Sequence, residues 1–284
     1  MNAIIMAAGT SSRFAPLSFE KPKGLLEIKG EILIERQIRQ LKEAGVSDVI
    51  VVVGYMAEKY MYLNNKYGVR LVMNEDYDRY NNTSSIMRVI EDLEETYICC
   101  SDNFFSHNVF LGQPKESYYS ALFAEGPTKE YCMITDCNNN IIQVKIGGSD
   151  AWYMVGHVFF NKEFSAIFRK IMKKEYNHDE TRQCYWEDIY IRHINELSPM
   201  KIHKYQPHDI EEFDTLDELR EFDKSYINDT RCSVIKQICA VNHWKESELY
   251  GFQKVNSEKQ SFYFYVDTDR YLYDSSNKKI ITKV

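Results

Sequence analysis

The sequence predicts an α/β protein in which helices cover both faces of a mostly parallel sheet. Short, almost continuously apolar runs at residues 1–7, 48–53 and 97–101 have the character of buried strands. Segments with the apolar spacing of helices separate these runs, and such alternation is typical of parallel sheets. Ligands bind beyond the carboxyl ends of the strands in such sheets, so the chain just after each run is a candidate site.

The first half of the chain follows this alternation. Residues 31–44 place Ile34, Ile38 and Leu41 at helical spacing, and Gly45 follows as a helix stop. The same reasoning predicts the remaining elements of this half, which are helices at 58–67 and 84–93 and a strand at 69–73.

The second half has a different pattern, with several strands joined by short polar turns. The predicted strands are 118–124, 131–135, 141–146, 152–160 and 200–205, and the predicted helices are 162–175, 186–197 and 216–225. A polar, lysine-rich tail follows, with a predicted helix at 233–240 and predicted strands at 260–266, 270–273 and 279–284. We therefore expect a principal domain at residues 1–227 and a small α+β appendage at residues 228–284.

Composition excludes several classes of protein. The 284 residues are 44% hydrophobic and 27% charged, as in ordinary globular proteins, and the net charge of −7 lacks the basic footprint of a nucleic-acid-binding protein. No apolar run approaches the ~20 residues that span a bilayer, and no charged segment with a cleavage site marks a signal peptide. The seven cysteines match neither a zinc site nor a disulfide framework, which indicates reduced thiols and a cytoplasmic protein.

The strongest local motif is AAGTSSR, which follows the first predicted strand and precedes KPK. Gly9 permits a turn and close approach of a ligand, while the hydroxyl and N–H groups after it can form a concave anion site. Arg13 offers a planar fork for phosphate oxygens and Lys23 a compact charge. We call residues 9–23 the phosphate loop. A polar surface turn is the alternative interpretation, and a dinucleotide-dependent dehydrogenase is disfavoured because G-x-G-x-x-G is absent.

This motif resembles the signature of nucleotidyltransferases that join a nucleoside triphosphate to a phosphorylated small molecule and release pyrophosphate. Further segments occur in the order found in bacterial CTP:phosphocholine cytidylyltransferases, which the chain resembles over residues 1–224. These segments are IVVVGY at 50–55, YGVRLVMN at 67–74, YNNTSS at 80–85, SDN at 101–103, YWED at 185–188 and EFD at 212–214. The resemblance implies a Rossmann-like sheet with an inserted substrate-binding lid.

The resemblance also implies roles for individual residues. It implies that Arg13 and Lys23 are catalytic and that Asp102 and Asp214 bind Mg²⁺, with Glu212 as a weaker candidate ligand. The residues that it implies for nucleotide binding are Ala7, Ala8, Gly9, Thr10, Ser11, Asn82 and Ser84. Mg²⁺ in phosphoryl transfer typically uses one or two carboxylates together with substrate phosphates. From the residues alone, a turn aspartate and a helix-start acid are the alternatives for the two aspartates.

An excess of aromatic residues points to the second substrate. The chain has 21 tyrosines, and a quaternary ammonium group is recognised by aromatic faces and nearby carboxylates. The predicted choline-binding residues are Tyr131, Trp152, Tyr185, Trp186, Glu187 and Tyr190. Trp186 and Tyr190 share one helix face, and the alternative is that such a pair belongs to the core. Tyr131 stands where the phosphocholine enzymes carry Trp, and YWED replaces their YWDN, so the acceptor stays open.

The predicted function is Mg²⁺-dependent transfer of a cytidylyl group from CTP to phosphocholine, giving CDP-choline and pyrophosphate. The alternatives are the same chemistry on phosphoethanolamine, 2-aminoethylphosphonate or a sugar 1-phosphate, and a non-catalytic nucleotide-sensing subunit. The expected partners are the small-molecule substrates and a second copy in a homodimer, without nucleic acid or membrane insertion. Residues 261–273 faintly resemble the opening strands of choline-kinase-like proteins; a remnant, an oligomerisation element and an unrelated β appendage are the other interpretations.

Overall fold

The computed structural model describes residues 1–255, 260–274 and 279–281. The strands are β1 (Asn2–Ala7), β2 (Glu27–Ile28), β3 (Glu31–Ile32), β4 (Asp48–Val53), β5 (Arg70–Met73), β6 (Thr96–Cys100), β7 (Asn103–Phe105), β8 (Tyr118–Thr135), β9 (Ile141–Phe160), β10 (Lys201–Lys204), β11 (Ile210–Glu212), β12 (Leu249–Lys254), β13 (Ser261–Val266), β14 (Asp269–Asp274) and β15 (Lys279–Ile281). The α-helices are α1 (Leu17–Glu20), α2 (Leu33–Glu43), α3 (Tyr62–Tyr67), α4 (Asn82–Arg88), α5 (Lys162–Glu175), α6 (Asp179–Arg182), α7 (Trp186–Arg192), α8 (Leu216–Phe222), α9 (Ser225–Asn228) and α10 (Ser233–Asn242). Single 3₁₀ turns lie at Ser12–Phe14, Lys23–Leu25, Ala57–Tyr60, Ile90–Asp92 and Glu246–Glu248.

The chain forms two compact units. The first unit comprises Met1–Gly9 and Leu33–Glu211, and the second comprises Thr10–Ile32 and Glu212–Val284. This division differs from the predicted boundary at residue 227. The predicted appendage shares its unit with most of the phosphate loop, an association between distant parts of the sequence that local periodicity does not report.

A seven-stranded sheet forms the centre of the first unit, in the order β10-β8-β9-β6-β1-β4-β5. Strand β1 pairs in parallel with β4 and with β6, and β4 pairs in parallel with β5. The carboxyl ends of β1, β4 and β6 therefore lie at one edge of the sheet. The predicted α/β, Rossmann-like, mostly parallel fold is confirmed.

A long hairpin, β8 and β9, replaces four predicted strands. The turn residues that suggested breaks instead lie within the hairpin, where Gly126 and Gly147 both have φ near +78°. The register shifts between Ala124 and Pro127, so an irregular pair interrupts the ladder without ending the strands. The predicted substrate-binding lid has no residue bounds assigned from the sequence, and action of this hairpin as that lid stays a prediction.

The helices of the first unit are confirmed in position, and several are shorter than predicted. Helix α5 has the predicted bounds, and the Asn161 side chain caps it by accepting a hydrogen bond from the Phe164 N–H at 2.9 Å. Helix α7 ends at Arg192 rather than at residue 197. Among the described residues, none of the helices has the length and apolar character needed to cross a membrane. All seven cysteines are free thiols.

The second unit contains helices α8 to α10 and an antiparallel sheet in the order β12-β13-β14-β15. Phe262 and Phe264 of β13 are fully buried and supply the core of this sheet. The predicted strands of the tail are confirmed as β13, β14 and β15, except that residues 282–284 lie outside the described part. Strand β12 was not predicted, because LYGFQK alternates too weakly to stand out.

Candidate active site

The carboxyl ends of β1 and β4 pack tightly in the first unit. Ala7 and Ala8 are both nearly inaccessible, and the Ala8 carbonyl accepts a hydrogen bond from the Tyr55 N–H at 3.0 Å. A Cβ atom added to Gly54 would lie 2.9 Å from the Ala8 carbonyl oxygen and 2.7 Å from the Tyr77 ring. Only glycine fits this close approach, which fixes the point where the predicted nucleotide-binding segment leaves the sheet.

Ser84 and Asn82 lie at the start of α4, and their side chains bond to protein groups. Asn74 donates to the Ser84 hydroxyl at 2.9 Å, and that hydroxyl donates to the Asn81 carbonyl at 2.7 Å. The Asn82 side chain accepts from the Trp186 N–H at 2.7 Å, so it points to the start of α7. The structure therefore connects Asn82 with the predicted acceptor residues, and the nucleotide-binding role of both residues stays a prediction.

Asp102 lies in the turn between β6 and β7, and a buried glutamine holds this turn. Gln37 of α2 is fully buried and donates to the carbonyls of Cys100 at 2.9 Å and Asn103 at 2.8 Å, one on each side of the turn. Burial raises the pKa of Tyr60, and the nearby charge of Asp102 raises it further, which places the carboxylate close to that phenol. The strand-end position predicted for Asp102 is thus well defined.

Sequence reasoning missed this role of α2. Gln37 and the equally buried Gln40 face the sheet side of the helix, and Gln40 donates to the His107 carbonyl at 3.0 Å. The signal in the sequence was two glutamines three residues apart inside an apolar helical stripe. Buried amides of this kind require partners, and here the partners are backbone carbonyls of the segment after Asp102.

Glu187 and Asp188, which we call the carboxylate pair, lie in the first turn of α7. Glu187 accepts from the Tyr119 hydroxyl at 3.1 Å and from the Asn82 amide at 3.3 Å. Asp188 accepts from the Tyr131 hydroxyl at 3.0 Å and from the Tyr185 N–H at 2.9 Å. The structure therefore brings Tyr131, Tyr185, Glu187 and Asn82 together, although they come from three distant parts of the sequence.

The carboxylate pair has an unusual electrostatic environment. Neither carboxylate forms an ion pair with a lysine or arginine within the described ranges, and both are only partly accessible. Burial raises the pKa of Glu187 to about 7, and the neighbouring charge of Asp188 contributes in the same direction. A cation placed beside this pair would be stabilised, because it would supply the missing countercharge.

Trp186 and Tyr190 lie in the hydrophobic core of the first unit. Both are 1% exposed, and the Trp186 ring packs against Tyr119, Phe160 and Phe168 at centroid distances of 5.9, 5.5 and 5.9 Å. This arrangement matches the core interpretation of aromatic residues at helical spacing. Tyr185 is different, because its side chain is 49% exposed.

Trp152 of β9 is half-buried, and other side chains pack on it. The Lys204 ammonium lies 4.8 Å from the Trp152 ring centroid, and the Phe123 ring meets it edge-on at 5.2 Å. A cation already occupies one face of this indole. Trp152 is therefore a poorer candidate for binding a second cation than its place in the sequence suggested.

Arg13 and Lys23 of the phosphate loop converge on Asp214 in the second unit. An Arg13 guanidinium nitrogen lies 2.6 Å from Asp214 Oδ2, and the Lys23 ammonium lies 3.8 Å from Oδ1. The Arg13 side chain is 73% exposed, whereas Lys23 is 5% exposed and stands 5.6 Å from the Phe14 ring centroid. The Glu218 carboxylate also lies beside Asp214 and accepts from its N–H at 2.7 Å, so two cations and two carboxylates meet here, and binding of a polyphosphate stays a prediction.

The backbone of the loop is also suited to anions. Ser11 has φ 49°, and a 3₁₀ turn begins directly after it, with the Phe14 N–H bonded to the Ser11 carbonyl at 2.9 Å. A left-handed residue beside right-handed ones is the geometry of an anion-binding nest. Gly9, Thr10 and Ser11 are at least partly accessible, as binding requires. Glu212 is exposed, and a role as a metal ligand stays a prediction.

The chemistry of the donor set fits a magnesium ion that arrives with its substrate. The described ranges contain no cluster of three or more His, Cys, Asp or Glu residues that would hold a metal ion. Mg²⁺ retains several waters and is commonly bound by one or two carboxylates with substrate phosphates supplying further oxygens. Asp102 of the first unit and Asp214 of the second each supply one carboxylate of the kind that Mg²⁺ binds, and their role as its ligands stays a prediction.

Comparison with known proteins agrees with the fold. A family described as the MobA-like NTP transferase domain matches residues 3–105. The chain is 36% identical to 2-aminoethylphosphonate cytidylyltransferase from Lancefieldella rimae, over 80% of this chain and 93% of that protein. It is 31% identical to choline-phosphate cytidylyltransferase from Streptococcus pneumoniae, over 81% of this chain and 100% of that protein. A solved structure of CTP:phosphocholine cytidylyltransferase from S. pneumoniae has a TM-score of 0.76 and 31% identity, covering 79% of this chain and 98% of that chain.

The mostly parallel sheet of the first unit has the Rossmann-like architecture of nucleotidyltransferases. With these similarities, the chain belongs to the nucleotidyltransferase family and within it to the cytidylyltransferases that the sequence resembles. Its reaction is transfer of a cytidylyl group.

Proposed function

We propose that this enzyme transfers the cytidylyl group of CTP to 2-aminoethylphosphonate, a short phosphonate that carries a primary amine. The observation behind this proposal is the carboxylate pair, in which two partly buried acids lack a cationic partner among the described residues. The protonated amine of the acceptor would supply that cation. Carboxylates accept hydrogen bonds from its N–H groups, which a quaternary ammonium group cannot donate.

The aromatic residues favour a primary amine over a quaternary one. An ammonium cage requires several accessible ring faces. Trp186 and Tyr190 are enclosed in the core, and Lys204 lies over the ring of Trp152. Tyr131 and Tyr185 remain as accessible rings beside the carboxylate pair, and the Tyr131 hydroxyl already donates to Asp188. Beside the carboxylate pair, carboxylate oxygens therefore outnumber accessible aromatic ring faces, which favours binding of a primary amine.

Phosphocholine is the second candidate acceptor. The relatives from S. pneumoniae and Haemophilus influenzae, at 31% and 30% identity, are choline-phosphate cytidylyltransferases. The exposed ring of Tyr185 supports this candidate, because one aromatic face beside two carboxylates provides part of a cage. The two acceptors share the same phosphorus chemistry and differ at the amine.

The proposed reaction is an in-line displacement at the α-phosphorus of CTP. An oxygen of the acceptor phosphonate forms the new P–O bond, the bond to the β-phosphate breaks, and pyrophosphate leaves. The acceptor is already anionic near neutral pH, so no general base is required. We assign Lys23 to stabilising the charge that develops on the phosphates and Arg13 to holding the departing pyrophosphate, because repulsion between two anions dominates the barrier.

Mg²⁺ is part of this proposal. When bound, it would neutralise phosphate charge and polarise the oxygens that it contacts. We propose Asp102 and Asp214 as its ligands, with Glu212 as a weaker candidate. Arg13 and Lys23 both face the Asp214 carboxylate.

The acceptor assignment is tested by pyrophosphate release with each nucleoside triphosphate and four acceptors. The acceptors are 2-aminoethylphosphonate, phosphoethanolamine, phosphocholine and glucose 1-phosphate. We expect CTP with 2-aminoethylphosphonate to give the highest kcat/KM, about tenfold above phosphocholine, which corresponds to one lost charge-assisted hydrogen bond. EDTA should abolish release and excess Mg²⁺ should restore it. A higher kcat/KM for phosphocholine would reverse the order of the two candidates, and turnover with glucose 1-phosphate alone would reject both.

Glu187 makes acceptor binding depend on pH. Its pKa is about 7, so it is ionised above pH 7 and becomes protonated as the pH falls below 7. We therefore expect the KM for 2-aminoethylphosphonate to rise as the pH falls from 8 to 6, and Glu187→Gln to raise that KM by about tenfold at pH 8. In the same variant, the KM for 2-aminoethylphosphonate should change with pH only as far as the acceptor's own phosphonate and amine titrate.

Glu180→Gln is the matched control, because Glu180 is an exposed glutamate of the neighbouring helix α6. Glu180→Gln should leave the KM for CTP, the KM for 2-aminoethylphosphonate and the pH profiles of both unchanged. If Glu187→Gln raised the KM for CTP as much as that for the acceptor, the carboxylate pair would not be the amine site.

A further inference from the structure

We propose that Glu20 is a positioning residue for nucleotide binding, and that it acts by tying the phosphate loop to helix α10 of the C-terminal appendage. The proposal rests on the proposed function of Arg13 and Lys23. It assigns a role to the appendage, which sequence reasoning left as a remnant, an oligomerisation element or an unrelated addition. All the contacts involved lie within the second unit.

The Glu20 carboxylate caps the first turn of α10. Its Oε1 accepts from the Ser233 hydroxyl at 2.7 Å and from the Val234 N–H at 2.9 Å, and its Oε2 accepts from the Ser233 N–H at 3.0 Å. The Cys232 thiol lies 3.2 Å from Oε1. A helix of this length begins with N–H groups that lack intrahelical partners, and residue 20 supplies partners from a distant part of the sequence.

Charge strengthens this contact. The N-terminus of a helix carries a partial positive charge, which stabilises an ionised carboxylate. Burial alone would raise the pKa of Glu20, but hydrogen bonds from Ser233 and Val234 hold the pKa below its ordinary value. Glu20 therefore stays ionised at neutral pH.

Other contacts join the same two segments. The Phe19 and Phe262 rings meet at a centroid distance of 6.1 Å. The Glu27 carbonyl accepts from the Tyr226 hydroxyl at 2.9 Å, and the Lys29 N–H donates to Asp223 Oδ2 at 2.8 Å. The contacts of Glu27 and Lys29 lie beyond the end of the phosphate loop, whereas Phe19 and Glu20 lie within it, between Arg13 and Lys23.

Glu20 combines a position inside the phosphate loop with a charged contact to α10, which gives it a bearing on nucleotide binding. It is the last residue of α1, seven residues after Arg13 and three before Lys23. Helix α1 has four residues and is too short to be stable by itself. Fixing its end to α10 therefore limits the conformations of the loop on both sides, and a loop held in advance loses less entropy when the nucleotide binds.

The test compares Glu20→Gln and Glu20→Ala with an unmodified chain. We expect either variant to raise the KM for CTP about threefold to tenfold, as loss of a charged cap predicts, with the KM for the acceptor unchanged. Amide hydrogen exchange over residues 10–25 should become faster. Combining Glu20→Gln with Ser233→Ala should give less than the sum of the two single effects, because both remove the same contact.

Asp229→Asn is the matched control. It removes one negative charge that pairs with Lys236 of α10 at 2.8 Å and does not touch the phosphate loop. It should leave the KM for CTP and the exchange rates over residues 10–25 unchanged. Unchanged exchange in Glu20→Gln, or equal rises in the KM of both substrates, would overturn the proposal.

Hydrogen exchange separates this proposal from the proposed function. Faster exchange in the Glu20 variants of a chain that releases no pyrophosphate would reject the proposed function and leave the tie between the loop and α10 in place. Normal turnover of the unmodified chain with unchanged exchange in the Glu20 variants would support the proposed function and reject the tie between the loop and α10.

Discussion

Lys23→Ala is expected to lower kcat for pyrophosphate release by about 10²–10³-fold, the usual effect of removing one group that stabilises transition-state charge. The Lys23 ammonium is 5% exposed and faces Asp214, so solvent screens its charge weakly. The measurement is kcat at saturating CTP and acceptor. Lys23→Arg should recover only part of the activity, because the larger planar group does not match a compact charge in an enclosed position.

Lys21→Ala provides the control, because Lys21 is an exposed lysine two residues earlier in the same loop. It should retain nearly full kcat. Thermal unfolding of all three variants shows whether a loss of activity comes from unfolding. If Lys23→Ala kept most of its activity, or if Lys21→Ala lost as much, the catalytic assignment of Lys23 would be wrong.

Trp186→Ala is expected to destabilise the protein by about 3–5 kcal/mol, as truncation of a buried tryptophan usually does. The indole is 1% exposed and contacts Phe160 and Phe168, so its removal leaves a cavity in the core of the first unit. In a chain of this size that change lowers the unfolding temperature by about 10 °C. Below that temperature the KM for CTP and the KM for the acceptor should change to a similar extent.

Two further variants distinguish packing from substrate binding. Trp186→Phe keeps a ring in the core and should fold even if Trp186→Ala does not. Its free energy of unfolding should lie between that of the unmodified protein and that of Trp186→Ala. Tyr185→Ala removes the neighbouring ring, which is 49% exposed, and should leave the unfolding temperature nearly unchanged while raising the KM for the acceptor. A selective rise in that KM for Trp186→Phe at unchanged stability would show that Trp186 lines the acceptor site.

The elements of the fold were predictable where local patterns decide them. The apolar runs that became β1, β4 and β6 needed no distant partner to be identified, because a strand buried on both faces is apolar at every position. Helix α5 was predicted to the residue, since its capping Asn161 and its apolar stripe are encoded within one segment. The hairpin was predicted less well, because glycines inside β8 and β9 carry the signal of a turn and serve instead at irregular pairs.

The residues of the candidate site also divide into those that local sequence patterns indicate and those that depend on tertiary contacts. The phosphate loop and Asp102 were predicted because each directly follows a predicted strand, and their roles stay predictions. Helical spacing grouped Trp186 with Tyr190 correctly but did not show whether their shared face meets a ligand or the core. Burial depends on what packs against that face, which in this protein is Phe160, Phe164 and Phe168.

Local patterns in the sequence predicted the fold class, the order of most elements and the charged loop, and its motifs indicated the family of the protein. The reason is that strand and helix periodicity, turn residues and short motifs are properties of neighbouring residues. Only the contacts of the folded chain reveal that Glu187 and Asp188 form a partly buried pair without a cationic partner among the described residues, that Gln37 holds the turn of Asp102 and that Glu20 caps α10. Each of these depends on contacts between segments far apart in the chain, for which a single sequence carries no periodic signal.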